Sequence, residues 1–262
     1  MKVEGRTFSV IGMGRSGLAA AAALATRGAD VLLSDGRDTP DLRRAAGTLD
    51  PRIRCTFGRE EIRPGDIAVL SPGIPPSAPA FRQAYRVADA VMGEVELFFR
   101  LFPGTTLAVT GTDGKSTVTT LLAHLLRTAG RDAVAAGNLG NALCEMLADA
   151  TPDTIAVAEV SCFQLITTTR FRPRIALVTN LAEDHLEHHG DMEAYVAAKA
   201  RVVSNQAAGD AFVRNLDDPI LCDWLRPGND RVPGNGQRVL EVSQRRAVPD
   251  GAFLQDRTFV LA

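Results

Sequence analysis

The chain has 262 residues, 45% of them hydrophobic and 23% charged, with a formal net charge of −2. That length accommodates two ordinary domains with a core each, and the near-neutral balance excludes the broad basic face of a protein that coats nucleic acid. The longest apolar run, Leu18 to Ala25, falls far short of the roughly 20 residues that span a bilayer. Met1 leads straight into a strand-like segment without an export signal, so neither nucleic acid nor membrane is an expected partner and the cytoplasm is the expected location. Cys55, Cys144, Cys162 and Cys222 are far apart and form no C-x-x-C pair, a pattern of reduced, mostly buried thiols.

Strand-type runs alternate with helical ones from the start: Thr7 to Ile11, a helix from about Ser16, then Val31 to Ser34 and Asp66 to Leu70. This βαβ rhythm predicts an α/β fold, with a Rossmann-like first domain over 1–92. Gly93 to Gly104 is read as the joining segment. A second α/β domain, 93–262, begins with the strand Thr106 to Thr110, a glycine-rich turn and a helix over Lys115 to Arg127. Further strands are predicted at Thr154 to Val160, Arg174 to Thr179 and Ala211 to Arg214, with a helix over Met192 to Val203. After Trp224 the text turns loop-like, with Pro227, Gly228, Pro233, Gly234 and Gly236 in succession. The chain closes on the strand-like run Phe259 to Ala262, read as an incomplete domain.

The sharpest chemical signal is Thr110-Gly111-Thr112-Asp113-Gly114-Lys115-Ser116-Thr117, set between a strand and a helix. Glycines let backbone N–H groups close on phosphate oxygens, the helix N-terminus adds positive potential, Lys115 reaches terminal phosphates, and the Ser116 hydroxyl is a Mg²⁺ ligand type. A nucleoside triphosphate is the natural ligand. Val109 stands where the usual P-loop has its first glycine, so the loop is a variant. Gly12-Met13-Gly14-Arg15-Ser16-Gly17, with Asp35 ending the next strand, has the layout of a dinucleotide fingerprint. A mononucleotide or a UDP-sugar fits the same crevice, and a tight strand–helix turn without a ligand is the plainer alternative.

Glu159 ends an apolar strand, where a carboxylate beside a phosphate loop suits Mg²⁺ and a satisfied buried acid is the plainer alternative. Glu183 to His189 holds His185, His188 and His189; a solvated helix start accounts for the last two, and a role is assigned only to Asp184 and His185. Lys199, on a helix of small residues, reads by itself as a surface lysine. Cys162 has no base at an informative spacing and reads as a core thiol.

Taken in order, Gly12 to Gly17, Ser71-Pro72-Gly73-Ile74, Gly93 to Phe98, Thr110 to Thr120, Gly137-Asn138-Leu139-Gly140, Glu159 to Leu165, Asn180 to His185 and Tyr195 to Lys199 resemble the Mur ligases, nearest to their D-glutamate-adding members. The match runs from residue 6 to about 218. The resemblance implies a P-loop-type central domain, incomplete here, and an ATP-dependent ligase that joins D-glutamate to UDP-N-acetylmuramoyl-L-alanine through an acyl phosphate. It implies that Arg15, Ser16, Asp35, Arg37, Ser71 and Gly73 bind the uracil and diphosphate, with Asn138 reaching in from the central domain. By the same resemblance, Gly111, Thr112, Asp113, Gly114, Lys115, Ser116 and Thr117 hold ATP, Ser116 and Glu159 one Mg²⁺, and His185 with a carbamylated Lys199 a second.

Lys115, Glu159, His185 and Lys199 are then the catalytic set, and the surface reading of Lys199 gives way. Three departures stand out: Asp113 in place of the family's asparagine, Cys162 in place of a serine, and Gly36 in place of a hydroxyl residue. Two other readings are kept: a truncated UDP-sugar- and ATP-binding protein without ligase activity, and an enzyme resembling folylpolyglutamate synthase.

Overall fold

In a computed structural model of the chain, residues 1–224 and 236–262 are described. Pro227, Gly228, Pro233 and Gly234, the core of the loop expected after Trp224, lie outside the described residues. The chain forms two compact units that do not divide at a single point. The first comprises Met1–Phe102, Gly140–Ala150 and Ile166–Thr169; the second comprises Pro103–Leu139, Thr151–Leu165 and Arg170–Ala262.

The first unit runs β1 (Thr7–Ile11), α1 (Arg15–Ala25), β2 (Asp30–Asp35), α2 (Pro40–Ala46), β3 (Arg54–Phe57), β4 (Ile67–Leu70), α3 (Pro79–Val87), β5 (Ala90–Gly93) and α4 (Glu94–Leu101). Its strands form one sheet in the order β3-β2-β1-β4-β5, parallel throughout. The central strands are buried along their length, as in a sheet covered on both faces: Phe8, Val10 and Ile11, then Val31 to Leu33, then Ile67 to Leu70. Strand order reverses at β1, so the turn into α1 opens at the carboxyl edge where such sheets take ligands. The alanine run of α1 packs closely because it combines high helix propensity with small side chains.

The segment read from sequence as a linker is the helix α4. Glu94, Val95, Glu96, Leu97 and Phe98 are all buried, two glutamates among them. Glu96 holds the return segment 166–169 in place: its Oε1 accepts from Arg100 Nε at 2.7 Å and from the Thr169 hydroxyl at 3.0 Å, and its Oε2 accepts the Thr169 N–H at 2.9 Å.

The second unit runs β6 (Thr105–Thr110), α5 (Lys115–Thr128), β7 (Ala133–Gly137), β8 (Ile155–Glu159), α6 (Cys162–Ile166), β9 (Ile175–Val178), α7 (Leu186–His189), α8 (Met192–Ala200), β10 (Ala211–Asn215), α9 (Pro219–Asp223), β11 (Arg238–Ser243), β12 (Gly251–Gln255) and β13 (Thr258–Leu261). A 3-10 segment, Leu143–Ala148, precedes β8 and belongs to the first unit. The sheet order is β13-β12-β11-β10-β9-β6-β8-β7. The chain leaves β6 toward β7 and β8 on one side and returns to β9 on the other, which makes the end of β6 a switch point.

Strand β7, Ala-Val-Ala-Ala-Gly, has little intrinsic β preference and forms by parallel pairing with β8. The closing run is no solitary strand: β13 pairs antiparallel with β12 through a turn in which Asp256 and Arg257 take positive φ. Helix α8 stops at Ala200, three residues before its expected end. Among the described residues no helix is long and apolar enough to cross a membrane.

Candidate functional site

The switch point of the second unit is built by close backbone approach. Gly111 adopts φ +140°, and a Cβ there would lie 2.0 Å from Thr179 Oγ1. Gly137, at the end of β7, would put a Cβ 2.2 Å from the Glu159 carbonyl oxygen. Only glycine fits either place. Gly114 caps α5 with φ +76°, and the first turn of α5 carries no acidic residue, so its free N–H groups and helix dipole present positive potential. The turn is tied down from β9: Asp113 N–H donates to Asn180 Oδ1 at 2.9 Å, and the Asp113 carbonyl accepts from Thr179 Oγ1 at 2.7 Å and Asn180 Nδ2 at 3.1 Å. The Asp113 side chain is exposed.

Around this turn three expected residues come together. Glu159, 1% exposed, accepts the Ser116 hydroxyl on Oε2 at 2.7 Å and Asn138 Nδ2 on Oε1 at 2.8 Å. Asn138, which the resemblance gives a place at the UDP-sugar, donates to Glu159 here because the β7–β8 register brings Gly137 opposite Glu159. Lys115 Nζ donates to the Thr112 carbonyl at 2.6 Å. Beside the turn, at the carboxyl edge of β9, β10 and β11, a cleft of about 560 Å³ is bounded by Val118, Thr179, Asn215, Asp217, Asp218 and Arg245. That volume lies in the range of small-molecule sites.

Lys199 is no surface lysine. It is 2% exposed, donates from Nζ to the Gly111 carbonyl at 2.6 Å and lies 4.7 Å from the Tyr195 ring centroid. Tyr195 OH in turn shares a 2.9 Å hydrogen bond with Thr112 Oγ1, so α8 holds the loop from beneath. Burial, with some help from the Lys115 charge, brings the Lys199 amine down to about 8. Cys162 is buried and burial raises its thiol, in keeping with a core role.

His185 takes the left-handed φ of 53°. Its Nε2 lies 3.4 Å from Asp184 Oδ2, its Nδ1 lies 3.9 Å from Glu187 Oε1, and its ring packs 5.1 Å from that of Phe163. His188 and His189 pack on the same phenyl ring. Among the described residues no three His, Cys, Asp or Glu side chains converge as a metal cage.

In the first unit, Gly12 (φ +95°) leaves no room for a Cβ, which would meet Ser71 at 2.8 Å, and a Cβ on Gly17 would lie 1.8 Å from the Gly12 carbonyl oxygen. Ser71 Oγ donates to that carbonyl at 3.0 Å. Asp35 accepts the Met13 N–H at 2.8 Å, the Arg37 N–H at 2.9 Å and Arg37 Nε at 3.0 Å. Burial pushes the Asp35 carboxyl up, but the hydrogen bonds from Arg37 and Met13 more than offset it and hold it below the usual range. Arg15 donates to the Gly140 carbonyl, and Gly73 has open space where a side chain would stand.

Sequence reasoning assigned no role to Glu94, Thr179, Asn180 or Tyr195. Three of them stood inside or at the edge of quoted motifs, Glu94 after Gly93, Asn180 at the head of its segment and Tyr195 at the start of the Lys199 helix. Their partners are distant in sequence, so only folding shows what they hold.

The Lys199 amine yields a direct test. Lys2, Lys115 and Lys199 are the chain's lysines, so three ε-carbon resonances can be followed by NMR, with Lys199→Met assigning the third. Lys199 is expected to titrate at about 8 rather than at 10.5. The unfolded chain binds the extra proton between those values, so this group penalises the fold in full below pH 8 and releases the penalty as pH rises toward 10.5. A Lys199 midpoint near its ordinary value would show that the amine is solvated.

Comparison with known proteins accords with this geometry. The Mur ligase middle domain matches residues 109–244, and the MurD-like N-terminal domain of Mur ligases matches residues 6–93. The chain is 37% identical over 260 residues to the UDP-N-acetylmuramoylalanine–D-glutamate ligase of Acidobacterium capsulatum, covering 98% of this chain and 55% of that protein. It is 38% identical over 252 residues to the enzyme of the same name from Pelotomaculum thermopropionicum, covering 94% and 53%. It thus spans about half the length of the curated relatives it matches. In fold it is similar to a UDP-N-acetylmuramate:L-alanyl-gamma-D-glutamyl-meso-diaminopimelate ligase from Neisseria meningitides, with TM-score 0.61 and 17% identity over 98% of this chain and 84% of that one. With the Mur ligase middle-domain profile matching over half its length, the chain belongs to the Mur ligase family.

Proposed function

We propose that this chain is the UDP-sugar- and ATP-binding part of a cytoplasmic, ATP-dependent ligase that adds D-glutamate to UDP-N-acetylmuramoyl-L-alanine in peptidoglycan precursor synthesis. One observation carries most of the reading: Ser116, Glu159 and Asn138 meet at the start of α5, beside a glycine turn shaped for phosphate. Identity of 37% to a ligase of that name supports the choice of substrate.

The triphosphate lies along Gly111 to Thr117, on the N–H groups that open α5, and its nucleoside takes the cleft edged by Asn215 and Asp217. Lys115 exchanges the Thr112 carbonyl for a terminal phosphate oxygen. Ser116 and Glu159 offer hard oxygen donors that fit Mg²⁺, since the carboxylate is bonded only to a hydroxyl and an amide and is oriented by Asn138. His185 and a carbamylated Lys199 are the proposed ligands of a second ion. Carbamylation joins a neutral amine to CO₂ and releases a proton, and an amine brought to about 8 supplies that neutral form near physiological pH. When bound, Mg²⁺ neutralises charge on the phosphates.

Arg15, Ser16, Asp35, Arg37, Ser71 and Gly73 of the first unit hold the uracil and diphosphate, with Asp35 fixing the loop through Met13. The γ-phosphoryl passes to the substrate carboxylate, and the D-glutamate amine attacks the acyl phosphate and displaces orthophosphate. Positioning and charge neutralisation supply most of the rate.

Lys115→Ala is expected to weaken ATP binding by about ten- to a hundredfold while leaving UDP-N-acetylmuramoyl-L-alanine binding unchanged in calorimetric titration. Equal loss of both ligands would point to a single site.

Removing the carboxylate beside the phosphates should help ATP. Asp113→Asn is expected to tighten Mg·ATP binding by about fivefold at low ionic strength, less in high salt. Unchanged or weaker binding would show that the Asp113 carboxylate points away or takes part in holding the ion.

The residues assigned so far handle phosphate and a UDP-sugar, and none is assigned to a dicarboxylic amino acid. Incubated with ATP, Mg²⁺, the UDP-sugar and D-glutamate, these 262 residues alone are expected to bind both nucleotides without making the ligated product, because attack needs acyl phosphate and amine held together with water excluded. Steady product formation by mass spectrometry would show that the acceptor site lies within this chain.

A further inference from the structure

Three aspartates of this chain directly precede a glycine, Asp35, Asp113 and Asp250, and the fold treats them differently. In an Asp-Gly pair the glycine nitrogen can close on the aspartyl side-chain carbon to form a five-membered imide, because no Cβ crowds the approach. Two of the pairs are held against that closure. Asp35 is 5% exposed, and its carboxylate accepts from the Met13 N–H, the Arg37 N–H and the Arg37 guanidinium. The Asp250 carboxylate is held on both oxygens by Arg238, while the Gly251 N–H donates to the Ala262 carbonyl and a Cβ on Gly251 would lie 2.0 Å from the Glu241 carbonyl oxygen.

Asp113 and Gly114 carry none of these restraints. Both are exposed, and a Cβ on Gly114 would meet nothing within 4 Å. Among the described residues no group bonds to the Asp113 carboxylate or to the Gly114 N–H; the bonds of Asp113 are all made by its backbone. Its carbonyl accepts from Thr179 Oγ1 at 2.7 Å and from Asn180 Nδ2 at 3.1 Å. Two donors on a carbonyl polarise the amide it belongs to, here the one that carries the Gly114 N–H, and make that proton easier to remove.

We propose that the Asp113–Gly114 bond is a self-isomerising modification site, which converts to isoaspartate when the loop is empty and is protected when a triphosphate occupies it. The protection rests on the reading of Gly111 to Thr117 as the triphosphate site. The Gly114 nitrogen bonds to Asp113 Cγ, and its proton leaves with the carboxyl OH as one water. Water then adds to the main-chain carbonyl carbon of the imide and breaks its bond to the Gly114 nitrogen, so that the chain continues through Cβ and Cγ and the former carbonyl becomes a free carboxylate. Addition at Cγ restores aspartate. One water leaves and one returns, and nothing is oxidised or reduced. The isoaspartyl chain is longer by one carbon, which moves Gly114 from its place at the head of α5 and removes the carbonyl that Thr179 and Asn180 hold. A phosphate oxygen that accepts the Gly114 N–H takes the nucleophile out of reach.

Tryptic digestion separates the three pairs into peptides 28–37, 101–115 and 247–257; Asn235, which also precedes a glycine and lies outside the described residues, falls in a fourth. The folded chain is incubated without nucleotide for several weeks near neutral pH. Isoaspartate is then counted by methyl transfer with an isoaspartyl methyltransferase and located by electron-transfer fragmentation of the peptides. Peptide 101–115 is expected to carry about tenfold more isoaspartate than either of the others, whose carboxylates must first give up charge-assisted hydrogen bonds. The share of chains that bind a non-hydrolysable ATP analogue with Mg²⁺ should fall in step. That analogue, present at about ten times its Kd, should slow the conversion by about tenfold, in proportion to the chains left empty. Asp113→Glu, whose imide would need a six-membered ring, should leave peptide 101–115 unmodified.

No isoaspartate in peptide 101–115, or no more than in the other two, overturns the proposal, as does conversion that a bound analogue fails to slow. If Asp113→Glu does not fold, the wild-type peptide ratio and the protection experiment decide. Failure of the triphosphate reading looks different: the analogue then gives no heat of binding to fresh protein, which removes the protection and leaves the peptide ratio to decide the isomerisation.

Discussion

A carboxylate held almost out of water at the carboxyl edge of a parallel sheet is the constraint around which the second unit is arranged. Glu159 sits there because β8 lies between β7 and β6, and an isolated buried carboxylate costs several kcal/mol, as an order of magnitude, unless it is hydrogen-bonded or meets a cation. Ser116 and Asn138 occupy one oxygen each. Both partners arrive by backbone geometry. The turn into α5 brings Ser116, and the tight end of β7, where only glycine fits against the Glu159 carbonyl, brings Asn138.

The choice of cations follows from the same economy of charge. The chain relies on arginine for its structural ion pairs, such as Arg63 with Asp66, Arg172 with Asp210 and Arg214 with Glu241. Arginine keeps its charge when partly buried. Lysine is confined to Lys2, Lys115 and Lys199, and two of these donate to backbone carbonyls of the turn into α5. Lys199 is the buried one of the three, and burial brings its amine down to about 8.

The first unit uses an acid differently. Asp35, in the position where a dinucleotide fingerprint places a ribose ligand, is saturated by Met13 and Arg37 and so fixes the shape of the turn between β1 and α1. Glu94 instead holds the 3-10 segment, its Oε1 accepting the Cys144 N–H at 3.0 Å, and burial raises its carboxyl. The unit thus carries two carboxylates of opposite kind, one well paired and held low, the other buried and raised.

Periodicity and turn chemistry determined, from sequence alone, the α/β class, the strands β1, β6, β8, β9 and β10 to within about two residues, the two glycine turns, and Ser116 and Glu159 as candidates beside the second of them. These signals are local: a strand, a glycine with positive φ and a helix start are written within ten or so neighbouring residues. Tertiary structure alone decided the rest. Helix α4 buries five successive residues, Glu94 and Glu96 among them, and β7 forms by pairing with β8. Lys199 is drawn beneath Gly111, 88 residues away, and Glu94 is bonded to Cys144, 50 residues away. Burial and long-range pairing are properties of the packed chain, and no window of sequence contains both partners.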